Sequence, residues 1–346
     1  MTSRDLLTME ATLNVVERPL LTIAVPTYNG AKYIEEAICS VLNQIDQPMM
    51  GQIEILVQDN ASTDSTSEVV ARLQQNSAVP IRHVRNEANV GFDRNIVECF
   101  KNAHGQFVWL LADDDRLKLG ALNQVIPLLI TQSNLGVILL NFEQLDRDMG
   151  AVVDQVAVDG IPDCGANEFL LAANGRYGQV SSLIFNNEAW REESVAAGIG
   201  TNFMHVYGLM KVILKRRSCI VSHALVDVRM GSISTGTSGD SMLGIALDMV
   251  SILREMPSMG HDVQVTRRLL KDAKRYTSNM IPVAKIAGIK HKMKLAKRLV
   301  ALMNGPSLWI KHLPVVVMPD QWFNVLYPAK KRASAKLRSL RKSLVS

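Results

Sequence analysis

Four short apolar runs, Leu21–Val25, Ile53–Val57, Ile81–Val84 and Phe107–Leu111, constrain the fold of this chain more than anything else in it. Each closes on a polar turn, and a helical stripe follows the first three: Ala31–Asn43, Ser67–Leu73 and Phe92–Ala103. Near-continuous apolar runs of four or five residues suit strands buried on both faces. Apolar residues three and four apart, such as Ile34, Ala37, Ile38 and Val41, suit helices with one buried face. Further on, a helix near Leu117–Leu129 and a strand at Val137–Leu140 extend the alternation. The pattern predicts an α/β fold with a mostly parallel sheet and helices on both faces. Beyond Phe142 it weakens. Val180–Phe185 and Ile220–Val228 read as strands, Gly231–Asp240 as a loop, and the chain after Ser241 as helical.

In such a sheet, ligands bind outside the carboxyl ends of the strands. Four polar motifs fall there. Val25-Pro26-Thr27-Tyr28-Asn29-Gly30 closes the first run with turn chemistry. Gln58-Asp59-Asn60-Ala61-Ser62-Thr63-Asp64 closes the second; Asp59 is an acceptor for a base or ribose, and Asp64 or Ser65 a helix cap. Asn89-Val90-Gly91-Phe92-Asp93-Arg94-Asn95 leads into the third helix. Arg94 in its first turn favours an anion, or else pairs with Asp93 or Glu98. Asp113-Asp114-Asp115 closes the fourth run. Three anions about 5 Å apart repel by roughly 3 kcal/mol per pair at an effective dielectric near 20. A divalent cation would relieve that and hold a diphosphate in turn; a solvated acidic turn is the plainer alternative.

Taken in order, these motifs resemble the nucleotide-sugar half of a family 2 glycosyltransferase of the GT-A type over about Leu20–Leu122. The resemblance implies a nucleoside diphosphate sugar donor held by Pro26, Tyr28, Asn29, Asp59, Asn89, Arg94 and Asp113, with Asp59 on the base and Asp113 on the ribose. It implies Mn²⁺ or Mg²⁺ on Asp114 or Asp115. The family often carries Asp-x-Asp-Asp, and here its first Asp falls on Ala112. An inverting member places a carboxylate base some 80 to 100 residues further on. The matching stretch here, Thr201–Tyr207, holds no acid, so His205 is the candidate base. Glu188, Glu192 and Glu193 compete, and Trp190 among them either stacks on a sugar or packs. The wording of the motifs is similar to an abequosyltransferase-type branch, which implies a deoxysugar donor and bacterial lipopolysaccharide or surface-polysaccharide assembly.

The expected organisation is an N-terminal extension (1–19), a nucleotide-sugar half (20–142), an acceptor half (143–240) and a helical, basic C-terminal extension (241–346). The net charge of +5 hides an asymmetry: Gln264–Ser346 carries 19 Lys/Arg against Asp272 and Asp320, which leaves the remainder with 19 bases and 31 acids. A basic end on an acidic body calls for an anionic partner. Trp309 and Trp322 beside it suit lipid headgroups rather than nucleic acid. The acceptor expected is a glycan or lipid-linked glycan. Four scattered cysteines without a C-x-x-C pair suggest a reducing compartment. With neither a signal-peptide pattern nor a spanning apolar run, the expected location is cytoplasmic, peripheral at the inner face of the plasma membrane. Two rivals are a nucleotidyltransferase, which would need a Gly-rich basic loop after the first strand, and a non-catalytic nucleotide-sugar binder.

Overall fold

A computed structural model describes residues 18–154, 157–193, 195–231, 238–303, 305–306 and 308–326. Most of the expected N-terminal extension, part of the Gly231–Asp240 loop and the Lys330–Lys342 cluster lie outside the described residues.

The chain divides into two compact units, one of residues 1–231 and 259–261, the other of 232–258 and 262–346. The first opens with β1 (Leu21–Thr27), α1 (Ile34–Leu42), β2 (Ile53–Asp59), α2 (Thr66–Asn76), β3 (Ile81–Arg85), α3 (Phe92–Asn102), β4 (Phe107–Leu110), the two-residue β5 (Arg116–Leu117) and α4 (Ala121–Thr131). It continues through β6 (Val137–Leu145), β7 (Val152–Asp154), β8 (Ile161–Cys164), α5 (Ala166–Ala173), β9 (Leu183–Asn186), α6 (Asn187–Arg191), α7 (Met204–Lys215) and β10 (Ser218–Arg229). The strands form one sheet in the order β3-β2-β1-β4-β9-β6-β10-β5, with β7 on β6 and β8 on β10.

The half of the sheet built from β3, β2, β1 and β4 is parallel, as the alternation predicts. Every residue of β1 and β2 is buried, which is why both read as largely apolar runs, interrupted by Thr22 and Glu54, rather than alternating ones. Leu21, Ile23, Ile55 and Trp109 from the strands pack with Ile34, Ile38 and Val41 of α1 in the main core. The predicted strand at Val180–Phe185 begins as a single helical turn (Val180–Ser182) and becomes β9, which runs antiparallel to both β4 and β6. Antiparallel β9 thus joins the parallel strands β3, β2, β1 and β4 to the parallel pair β6 and β10.

Trp190 packs; it does not face a cleft. Its ring stacks on Phe100, centroids 3.9 Å apart at 8°, and meets Phe185 edge-on. A Cβ on Gly208 would overlap that ring, so α7 passes Trp190 only through glycine.

The second unit is helical: α8 (Gly239–Met259), α9 (Val263–Ile286), α10 (Lys292–Leu302) and the short α11 (Leu313–Val317). Leu243, Leu247, Ile281, Leu295, Leu299 and Val316 form its core. The buried Lys285 ammonium ties it together, donating to the Val316 and Met318 carbonyls and pairing with Asp320 at 2.7 Å. Asp320 also pairs with Lys292, and Asp272 pairs with Arg275 at 3.1 Å, so both acids of the basic segment are spent internally. Trp309 and Trp322 are each 59% exposed, with Ile310, Val325 and Leu326 exposed near them in sequence.

Candidate active site

The motifs meet at the carboxyl ends of β1, β2 and β4. Thr27, last in β1, sits in register with Asp59, last in β2. Its hydroxyl donates to Asp113 Oδ2 at 2.5 Å. Gly30 follows, and a Cβ there would strike both that carboxylate and the Thr27 hydroxyl. The first motif therefore ends in glycine because Asp113 lies against its backbone. Asn29 takes a left-handed conformation, φ 55°. Its side-chain oxygen accepts from Thr63 N at 2.7 Å, and its own N–H donates to Ser62 Oγ at 2.9 Å. Pro26 is buried in the strand, while Tyr28 is 47% exposed.

Asp59 is fully buried. Oδ1 accepts from Ser62 N at 2.8 Å, and Oδ2 lies 3.4 Å from His83 Nε2 and 3.3 Å from Arg85 Nε. Burial pushes its carboxyl up, but His83 and the Ser62 hydroxyl and N–H outweigh that and hold it at about 2. It stays an anion at any working pH. Asp64 caps α2, accepting from Thr66 N at 3.1 Å, and also receives Ala31 N at 3.2 Å.

Asn89 belongs to a polar web between the second and third motifs. It accepts from Asn60 Nδ2 and Gly91 N, both at 2.9 Å, and Asn60 accepts in turn from Val90 N and Asn86 Nδ2. Arg94 is exposed in the first turn of α3. Neither partner weighed for it from sequence takes it up: Glu98 pairs with Lys101 at 2.6 Å, and the Asp93 carboxylate accepts from three backbone N–H groups elsewhere.

The three aspartates are all buried and are not equivalent. Asp115 is fully engaged: Oδ2 accepts from Ser181 Oγ at 2.6 Å and Gln179 Nε2 at 3.0 Å, and Oδ1 from Arg229 N at 2.9 Å. Ser181 Oγ lies 2.9 Å from Ala112 N as well, pinning the turn. The Arg229 guanidinium donates to the Asp114 carbonyl and pairs with Glu36. Burial first, and then the charge of Asp114, raises Asp113 to about 7 and pushes Asp115 well above the carboxylate range. Excess negative charge in an all-oxygen donor set is what a hard divalent cation would neutralise. Among the described residues no three His, Cys, Asp or Glu side chains converge as a closed metal cage. Mg²⁺ and similar ions commonly take one or two protein carboxylates and complete their shell with water and substrate phosphate. The aspartate turn fits that kind of site.

His205, in the first turn of α7, is 2% exposed. Its Nε2 lies 3.1 Å from the Gly178 carbonyl. A carbonyl only accepts, so the proton sits on Nε2 and Nδ1 carries the lone pair. Nδ1 is buried without a hydrogen-bond partner among the described residues. Burial lowers the imidazole to about 4, against a smaller upward pull from Gly178 and Asp93. Gly178 belongs to the same short stretch as Gln179 and Ser181, so one loop holds both His205 and Asp115. Of the competing carboxylates, Glu192 and Glu193 pair with Arg216 and Lys215, and Glu188 is exposed at the start of α6.

Sequence reasoning missed Thr27, Gln179, Ser181 and Arg229 as partners of the aspartates. Thr27 stood inside a quoted motif, but the others lie 64 to 115 residues away along the chain, with no local signal to find them.

The fold is that of GT-A glycosyltransferases. Solved structures with this arrangement include *S. aureus* TarS 1-349 in complex with UDP-GlcNAc (TM-score 0.60, 19% identity, covering 81% of this chain and 79% of that one). Another is the mannosyltransferase PcManGT from Pyrobaculum calidifontis in complex with GDP-Man and Mn²⁺ (TM-score 0.52, 16% identity, 89% and 87% covered). Residues 22–147 match glycosyl transferase family 2. Among curated relatives, the abequosyltransferase RfbV of Salmonella typhimurium is 31% identical over 205 residues, 56% of this chain and 61% of that protein. The GalNAc(5)-diNAcBac-PP-undecaprenol beta-1,3-glucosyltransferase of Campylobacter jejuni is 34% identical over 108 residues, 31% of this chain and 34% of that protein. The chain thus spans about three fifths of the first relative and a third of the second.

Proposed function

We propose that this protein transfers a sugar from a nucleoside diphosphate donor to a glycan or lipid-linked glycan in bacterial surface-polysaccharide assembly. The reading rests on one observation: Asp59 closes β2 while Asp113 and Asp114 follow β4, the two strands that flank β1, and the loop that anchors Asp115 also holds a buried, neutral imidazole. Asp59, a permanent acceptor, suits a base N–H, and Asp113 a ribose hydroxyl. Pro26, Tyr28 and Asn29 would flank the base, and Arg94 would meet a phosphate. Asn89 shapes the loop between them. Asp114, with Asp113 beside it, would hold Mn²⁺ or Mg²⁺, which when bound offsets the charge that builds on the departing diphosphate. Asp115 serves the same turn from behind. His205 Nδ1 would take the proton of the attacking acceptor hydroxyl. The likeness to an abequosyltransferase supports a deoxysugar donor.

The first test is calorimetric titration of the protein with UDP, CDP, GDP and dTDP, each with and without Mn²⁺. One nucleotide should bind, and more tightly with the metal. No binding of any of the four by folded protein would sink the reading.

No described helix is long and apolar enough to cross a membrane. We assign the exposed Trp309, Ile310 and Trp322, with the excess Lys/Arg of the segment from Gln264, to contact with an anionic bilayer from the cytoplasmic side. The protein should sediment with phosphatidylglycerol vesicles at low salt and stay in the supernatant with phosphatidylcholine. Equal behaviour with both would remove the membrane from the account.

A further inference from the structure

We infer that Asp93 is a positioning residue for His205, and that through it the first turn of α3 sets the geometry of proton transfer; this rests on the transferase reading above. The carboxylate is 6% exposed. Among the described residues its hydrogen bonds go to the segment that leads into α7: Oδ2 accepts from Gly200 N at 2.7 Å and Asn202 N at 3.0 Å, and Oδ1 from Met204 N at 3.1 Å. The segment has no cap of its own. Phe203, at the N-cap position of α7, makes no side-chain capping bond. The orphan donors of a helix start must be met somewhere. Here one of them, Met204 N, is met by a carboxylate 111 residues earlier in the chain, which also takes up the two preceding amides of Gly200 and Asn202. Its negative charge also faces the positive end of the α7 dipole.

The clamped segment is one that would not hold its shape unaided. Gly200 and Asn202 both take left-handed backbone conformations, φ 94° and 57°. For Asn202 that costs free energy unless the surroundings over-determine it. Three charge-assisted bonds to one buried carboxylate do so. His205 is the residue directly after the last of the three amides. Phe92, beside Asp93, meets the imidazole edge-on, centroids 6.2 Å apart at 88°. So consecutive residues of the third motif bracket the ring, Phe92 by contact and Asp93 through its backbone. The ring is then held by the α7 backbone, the Phe92 edge, the tilted Phe203 ring 5.6 Å away and the Gly178 carbonyl.

The motif therefore has two outputs. Its loop, with Asn89, faces the donor side of the sheet, and its helix start governs the base. This accounts for a buried aspartate at a position where an exposed, Arg94-paired side chain would have been the simpler choice.

The test compares wild type, Asp93→Asn, Asp93→Ala, His205→Ala and the double variant Asp93→Asn/His205→Ala. Hydrogen exchange in the peptide spanning Gly200–Met204 should speed up by about tenfold or more in Asp93→Asn, the size implied by losing a charge-assisted bond. Nucleoside diphosphate release from the sugar nucleotide chosen by calorimetry, with a lipid-linked glycan extract as acceptor, should slow about 10- to 100-fold, the range expected for a misplaced group of about 1 Å. Nucleotide affinity should stay within about twofold, since the effect falls on positioning rather than on donor binding. In the His205→Ala background the Asp93 substitution should add nothing, because coupled residues are non-additive. Unchanged exchange at Gly200–Met204, or a further loss of turnover in the double variant, overturns the inference. Wild type that binds no nucleotide sinks the transferase reading instead, and the exchange result still decides the clamp. If Asp93→Ala fails to fold, Asp93→Asn carries the comparison.

Discussion

Asp114→Ala should weaken metal-supported nucleotide binding, whereas Asp115→Ala should first cost stability. The two residues are neighbours, the same in type and both buried, so composition gives no reason to separate them. Their partners do. Asp115 accepts from a hydroxyl, an amide side chain and a backbone N–H, on three different parts of the chain. Removing it leaves those donors buried and unpaired, at about 1–3 kcal/mol for each that water cannot reach. Relief of repulsion from Asp114 returns part of this, and a net loss of about 2 kcal/mol is expected from these opposing terms. Asp114 has its backbone carbonyl held by Arg229, a contact that survives truncation of the side chain. Its loss should weaken nucleotide binding in Mn²⁺ by about 100-fold or more, the worth of one metal ligand at roughly 3 kcal/mol. Thermal melts and calorimetry on both variants check this. Wild-type affinity in a folded Asp114→Ala would remove the metal from the aspartate turn.

The parallel half of the sheet was legible because its signals are local. A parallel strand buried on both faces announces itself as Leu21–Val25 or Ile53–Val57 without reference to anything else. The motif that follows each strand sits where the topology must put it. The third motif was legible only in part. Arg94 drew attention as a charge at a helix start, while Asp93 is the residue whose role depends on Gly200, Asn202 and Met204, far along the chain. Trp190 shows the same limit. Its options from sequence were a sugar face or the core, and only the positions of Phe100 and Phe185 decide for the core. Antiparallel β9 was visible as an apolar stretch, but its direction is set by the strands on either side of it. The asymmetry within the aspartate triplet has no local signal at all, since Ser181 and Arg229 create it.

The pH profile of turnover should keep its acid limb near pH 4, and His205→Ala should cost about 10²- to 10⁴-fold in kcat, the usual worth of a general base. A solvated imidazole loses its base function near its ordinary value of about 6.5. Burial lowers His205 to about 4, so Nδ1 keeps its lone pair across the range in which an exposed histidine would be titrating. Brønsted behaviour makes so weak a base less efficient. The Asp93 charge acts against this, since it favours the imidazolium that forms as the hydroxyl proton arrives. The same shift has a thermodynamic counterpart. Between about 6.5 and 4 the unfolded chain takes up a proton at this position and the native protein does not, so stability falls as the pH drops through that window. A shift of this size corresponds to at most ~3 kcal/mol. His205→Ala should therefore flatten the stability profile between pH 4 and 6.5 while leaving it unchanged above. Denaturant melts at three pH values, beside the rate profile, measure both. An acid limb near 6.5 would mean that the imidazole is solvated in the working enzyme, and a full rate in His205→Ala would pass the proton to Glu188, the competing carboxylate that is exposed and for which no ion pair is found among the described residues.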